Sequence, residues 1–319
     1  MVSHIIASFP PHAVHLAEVQ MTRTIDGMDA RLIETDRGGV FVQTAGSGPA
    51  VLLLHGFPET GLMWRDVARL LQEDFTVVVA DLPGYGASQC PADEDDHASM
   101  SKRSMALTLA EVMSRLGCER FAVVGHDRGG RVAYRMALDY PDRVTHIVAL
   151  DIVPTAEVWE RADARLALAF WPFCLLAQPA PLPERMILGA ADAVVDNALG
   201  GWGSPADMFP PDVRDAYIAA LSDPAHVHAI CEEYRAAASI DRDHDAVDRR
   251  AGKTIACPLL ALWSGQGALA EWYSDAGGPM GLWRQWAELA AGEATDGGHF
   301  FPEEYPAETA QRIKAFLSD

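Results

Sequence analysis

Within Gly125-His126-Asp127-Arg128-Gly129 a carboxylate sits directly after the apolar run Phe121–Val124 and directly before a helical pattern. A strand, a sharp turn and a helix, with glycines two places either side of the central residue, lift a nucleophile clear of a sheet; Asp127 stands where serine enzymes hold Ser. Gly125 and Gly129 belong to this reading because such a turn leaves no room for side chains beside the nucleophile. The competing reading is structural: Asp is a favoured N-cap, and Asp127 would cap a helix starting at Gly129 or Gly130. A nucleophilic carboxylate displaces a leaving group at carbon to give an alkyl ester. Water must then hydrolyse that ester at its carbonyl, which calls for a base and an oxyanion hole.

The base is expected at His299, in Thr295-Asp-Gly-Gly-His299-Phe-Phe-Pro near the C-terminus, in the chain order of nucleophile, acid and histidine that such enzymes share. With 11 histidines in the chain, a surface position is the bland alternative. For the acid that orients it, the run Leu259–Trp263 is followed by Ser264-Gly-Gln-Gly-Ala-Leu and no carboxylate until Glu271. Asp151, at the end of Val144–Leu150, is therefore the preferred partner and Glu271 the second choice. One oxyanion N–H belongs to Arg128, and the other is expected at Phe57 in His55-Gly56-Phe57-Pro58, where Phe57-Pro58 is a candidate cis peptide. Arg128 and Arg131, one and four residues after the nucleophile, share one side of the helix start. Two guanidinium groups there would clamp a substrate carboxylate. Alternatively they form salt bridges to Asp139 or to a carboxylate of an inserted cap.

These residues need a sheet to hold them. Arg31–Thr35 and Gly39–Thr44 flank Asp36-Arg37-Gly38 and read as a hairpin. Ala50–Leu54, Phe75–Ala80, Phe121–Val124, Val144–Leu150 and Leu259–Trp263 are continuous apolar runs, as strands covered on both faces are. Helical patterns over Met63–Leu71, Ser104–Leu116 and Gly130–Leu138 alternate with them, which gives an α/β fold with a mostly parallel, doubly wound sheet. The alternation stops over a stretch rich in Ala, Leu, Pro and Trp. The expected organisation is a first core segment 1–154, with about the first twenty residues an extension, a helical cap 155–245, and a second core segment 246–319.

From about Ile33 to the C-terminus the chain resembles the haloacetate dehalogenases, the fluoroacetate dehalogenases among them, of the α/β-hydrolase superfamily. The resemblance rests on LLLHGFPET, DLPGYG, GHDRGGRVAYRMALDYPDRV, LDIVPT, LAQPAPLPE, CEEYRA and GHFFPEE. It implies Asp127 as nucleophile, His299 as base, Asp151 as its partner, Arg128 and Arg131 on the carboxylate, and a homodimer. It also implies that a tyrosine, here Tyr234, and a His-Trp pair just before LAQP donate hydrogen bonds to departing fluoride, with Trp202 at a further pocket position. The pair is different here: its positions fall on Pro172 and Phe173, which have no side-chain donor, and Trp171 stands one place earlier. Chloro- and bromo-acids are accordingly expected to react better than fluoro-acids, because their leaving groups need less help.

Two other functions compete. An epoxide hydrolase also uses an Asp nucleophile, but usually brings two cap tyrosines, and only Tyr234 matches a cap motif, with Tyr217 in the same region. A non-catalytic binding protein for a small carboxylic acid would explain the missing pair but not the retained Asp127 and His299. A net charge of −20 argues against nucleic acid or anionic membrane as partner. His226, His228 and His244 have no recognised ligand spacing, there is no phosphate-binding glycine loop, and neither metal nor cofactor is expected. The five cysteines read as buried reduced thiols, and with no signal-like segment a cytoplasmic location is expected.

Overall fold

The computed structural model of the protein describes residues 24–318; the expected N-terminal extension lies outside the described residues. Its sheet has eight strands: β1 (Asp29–Ile33), β2 (Val40–Ala45), β3 (Ala50–Leu54), β4 (Thr76–Ala80), β5 (Phe121–His126), β6 (Val144–Leu150), β7 (Leu259–Ser264) and β8 (Ala290–Thr295). Their spatial order is β1-β2-β4-β3-β5-β6-β7-β8. The expected hairpin pairs antiparallel with Ile33 opposite Val40, β2 runs antiparallel to β4, and every other neighbour is parallel. The central strands are buried on both faces, which is why they read as unbroken apolar runs.

Between the strands lie α1 (Arg65–Leu71), α2 (Lys102–Arg115) and α3 (Asp127–Asp139). Eight further α-helices follow β6: α4 (Thr155–Glu160), α5 (Ala164–Ala169), α6 (Trp171–Leu176), α7 (Leu182–Leu188), α8 (Ala191–Gly201), α9 (Pro211–Ala220), α10 (Pro224–Ala238) and α11 (Ile240–Arg250). The boundary expected at 245/246 falls inside α11, which has no breaker before Ala251-Gly252 and buries Asp241, Asp245 and Asp248. After β7 come α12 (Leu269–Trp272) and α13 (Gly278–Trp283), and after β8 come α14 (Phe301–Glu304) and α15 (Pro306–Leu317).

Ions fasten the helical insertion to the sheet layer. Glu233 of α10 is fully buried and pairs with Arg128 and Lys102, while Tyr85 donates to it at 3.1 Å. Arg135 of α3 pairs at 2.5 Å with Asp248 of α11. Of the cysteines only Cys231 is buried; Cys174 is exposed because α6 turns Phe173 and Leu176 inward. Among the described residues no helix is long and apolar enough to cross a membrane.

Candidate active site

The sheet changes winding direction at β3: β4 lies on one side of it and β5 on the other. Crevices at the carboxyl ends of strands flanking such a point are where open α/β sheets bind ligands. Asp127 follows β5 there, and the loop after β3 faces it, with the Phe57 N–H donating to Asp127 Oδ2 at 3.1 Å. Asp127 itself takes φ +41°, the sparsely populated left-handed region, and the helix begins at this residue with His126 as its N-cap. The alternative that Asp127 caps a helix starting further on therefore has no counterpart. A Cβ at Gly125 would come within 2.4 Å of the Gly129 backbone, and one at Gly129 within 2.4 Å of the Leu54 carbonyl, so both positions require glycine. Phe57-Pro58 is a cis peptide.

His299 is buried and its Nδ1 lies 2.5 Å from Asp151 Oδ2. The other Asp151 oxygen accepts the Ser264 N–H at 2.8 Å, so the end of β7, which lacks a carboxylate, supplies a backbone donor to the carboxylate from β6. Glu271 is exposed on α12. The histidine loop is gripped from two sides: its N–H donates to the Trp202 carbonyl at 2.9 Å, and the His126 Nε2 donates to the His299 carbonyl at 2.8 Å. Burial alone would lower the His126 imidazole, but the Glu59 carboxylate 2.9 Å away outweighs it and raises it to about 9. Burial would likewise raise the Asp127 carboxyl; His299, Arg128 and Arg131 outweigh that and hold it below the ordinary carboxylate value.

Above Asp127 opens a cavity lined by Arg131, Asp151 and His299 on the sheet side and by Phe170, Pro172, Phe173, Trp202 and Tyr234 on the helical side. The two arginines are unequal in it. Arg131 lines the cavity, whereas Arg128 donates through Nε and Nη2 to Glu233, the cap carboxylate of the alternative reading. Phe173 faces both cations, 5.5 Å from Arg128 and 5.2 Å from Arg131, and the Tyr234 ring lies 4.0 Å from Arg128. Among the buried nitrogens that have no partner among the described residues are Arg128 Nη1, Arg131 Nε and His299 Nε2. Orphaned polar atoms of this kind are costly unless something polar completes them.

Trp171 does not take over the missing pair's place, since its indole N–H donates to Asn197 at 2.8 Å and it is not among the cavity-lining residues. Tyr217 points elsewhere as well, donating to Glu303 at 3.0 Å. Trp272 and Tyr273, also in the wall, went unnoticed in the sequence, where nothing distinguishes them from core aromatics.

A profile of the α/β hydrolase fold matches residues 49–170. The chain is 41% identical over 298 residues to a fluoroacetate dehalogenase of Burkholderia sp, covering 92% of this chain and 95% of the relative. It is 30% identical over 276 residues to a soluble epoxide hydrolase of Corynebacterium sp. (strain C12), covering 82% and 88%. In structure it is similar to a protein of Nostoc sp PCC 7120 described as an α/β hydrolase, with a TM-score of 0.88, 42% identity, and coverage of 92% of this chain and 99% of that one.

Proposed function

The chain belongs to the haloacetate dehalogenase-like family of α/β hydrolases, and from that premise we propose that it releases halide from short 2-haloacids through an ester on Asp127. The observation that carries this reading is the Arg131 guanidinium in the cavity wall, its Nε unpartnered among the described residues, together with an ionised, strained Asp127 in the same wall. An anion held by that guanidinium presents its neighbouring carbon to the carboxylate.

Asp127 Oδ1 attacks that carbon and the halide departs with the bonding pair. The other carboxylate oxygen, already on the Phe57 N–H, becomes the ester carbonyl oxygen and carries the negative charge when water adds. His299, oriented by Asp151, takes the proton from that water at Nε2. The tetrahedral intermediate then collapses by breaking the Cγ–Oδ1 bond: the 2-hydroxy acid departs with Oδ1 and the proton returned by His299, the Asp127 carboxylate is regenerated with one oxygen from water, and a 2-hydroxy acid, a halide ion and a proton are the net products. With Pro172 and Phe173 in the wall, Tyr234 is the one donor retained for the leaving group, so chloride and bromide are favoured over fluoride. A homodimer and a cytoplasmic location belong to the same proposal.

Halide release from fluoro-, chloro- and bromoacetate, with Asp127→Asn as the blank, tests the reading. Chloride and bromide release with little fluoride is the expected result; efficient fluoride release would reject the role given to Pro172 and Phe173. Two phenols, Tyr234 and Tyr273, line the pocket, which favours epoxide hydrolysis as the second reading, because an opening epoxide needs a neutral proton donor. Turnover of styrene oxide without halide release from any haloacid would select it.

A further inference from the structure

Tyr273 has no part in the reaction sequence above, yet it is only 3% exposed and lines the cavity together with Asp127 and Arg131. Its hydroxyl meets no hydrogen-bond partner among the described residues. Of the charged groups that act on it, Arg131 is the strongest, followed by Arg161 and Glu157. Burial pushes the phenol up to about 12 despite those arginines, so it remains a protonated donor.

The donor inventory around a bound acid is short without it. Arg128 has Nε and Nη2 on Glu233, and Arg131 has Nη1 on the Val153 carbonyl and the Thr155 hydroxyl, at 3.1 and 3.2 Å. A carboxylate has about four lone-pair sites to satisfy when it leaves water, and Arg131, with both Nη1 hydrogens used, has three N–H groups left for it, on Nε and Nη2, so that one further donor from the wall completes the set. The Tyr234 ring is stacked at 4.0 Å on Arg128, and its hydroxyl is the donor assigned to the leaving group. We propose that Tyr273 is a substrate-binding residue whose hydroxyl donates to the carboxylate of the bound acid beside Arg131. The assignment rests on the reading of this cavity as a carboxylate site, and makes the clamp one arginine from α3 plus a phenol from the segment after α12, with Arg128 held on Glu233.

Acetate has no leaving group, so its binding reports on the clamp independently of the reaction. Titration of wild-type and Tyr273→Phe proteins, followed by the fluorescence of Trp202 and Trp272 in the wall, should show acetate affinity falling about tenfold or more, the effect of one hydrogen bond to a charged group. Acetamide affinity should stay within about twofold or be undetectable in both proteins. With chloroacetate the same variant should raise KM by a similar factor while kcat stays within about twofold, the mark of an interaction present equally in ground and transition states. Unchanged acetate affinity, equal losses for acetate and acetamide, or no acetate binding by the wild type would each overturn the assignment. If Tyr273→Phe weakens acetate while the wild type releases no halide from any haloacid, the dehalogenation reading falls and this one stands.

Discussion

The cavity has two walls built on different principles. Its floor consists of Asp127, Asp151 and the Phe57 N–H, carried at the ends of β5, β6 and β3, with His299 in the loop after β8. Sheet register fixes where each strand ends, and named bonds fix the rest: Ser264 to Asp151, His126 and Trp202 to the His299 backbone. The roof consists of Phe170, Phe173 and Trp202, presented by short helices or their connections, and of Tyr234 on the longer α10, whose Glu233 is a principal anchor to the floor. Floor positions are set by backbone pairing, so a change of side chain there changes the chemistry and not the fold. Roof positions are set by side-chain packing and can vary, as at Pro172 and Phe173, where the family resemblance implies a His-Trp pair, while Asp127 stays where it is.

If that division holds, the largest effect belongs to the floor. Asp127→Asn should lower halide release by about four orders of magnitude or more, because the isosteric amide fits the turn but is a far poorer nucleophile. His299→Gln should stop the reaction at the ester, seen by intact mass as a protein heavier by about 58 daltons after chloroacetate. An equal loss from Phe173→Ala, which touches no reacting atom in this scheme, would erase the distinction between the walls.

The joint between the walls should show in stability instead. Glu233→Gln leaves Arg128 and Lys102 buried without their shared anion, at a cost of about 3–5 kcal/mol in urea unfolding. The same contact sets a pH dependence. Burial alone would raise the Glu233 carboxyl, but Arg128 and Lys102 outweigh it and lower it. A carboxyl lowered by folding contributes its full stability above its unfolded value and loses it as pH falls through the folded one. Wild type should therefore lose stability on acidification more steeply than Glu233→Gln does.

The two walls also differ in how far the sequence reveals them. The floor is local: glycines around Asp127, an apolar strand before Phe57, Asp127 and Asp151, and for His299 the glycines before it and a chain order that the fold repeats, so that these four are legible from motif and order. What escaped was non-local. Arg128 and Arg131 look equivalent in sequence, and only the folded chain brings Glu233, 105 residues on, against one of them. Tyr273 and Trp272 follow a strand by a turn whose course no residue type announces. The edge strand β8 was missed because Ala290-Ala-Gly-Glu-Ala-Thr295 has no apolar period; its pairing with β7 comes from the backbone.

A further prediction turns on the replaceability of the roof. Pro172→His with Phe173→Trp should restore side-chain donors facing the leaving group and raise fluoride release relative to chloride release by roughly tenfold, since one transition-state hydrogen bond to a developing anion is worth at least that much. Because α6 already carries Pro172 in its first turn, exchanging it there removes no helix hydrogen bond. A ratio that stays fixed would mean that the roof does not select the halide and that Tyr234 alone sets it.

The smallest expected effect guards that experiment against a different explanation. Trp171 is the neighbouring indole, and a slip of one residue in α6 would bring it to the leaving group and make Phe173 irrelevant. In the structure its N–H donates to Asn197 at 2.8 Å, and that contact is exposed to solvent. A hydrogen bond of this kind contributes little to stability and nothing to the reacting atoms. Trp171→Phe should therefore leave the fluoride-to-chloride ratio and kcat within about twofold of wild type. A selective loss of fluoride release in Trp171→Phe would put this indole in the cavity and assign the halide contact to α6 in a different register, leaving the floor untouched.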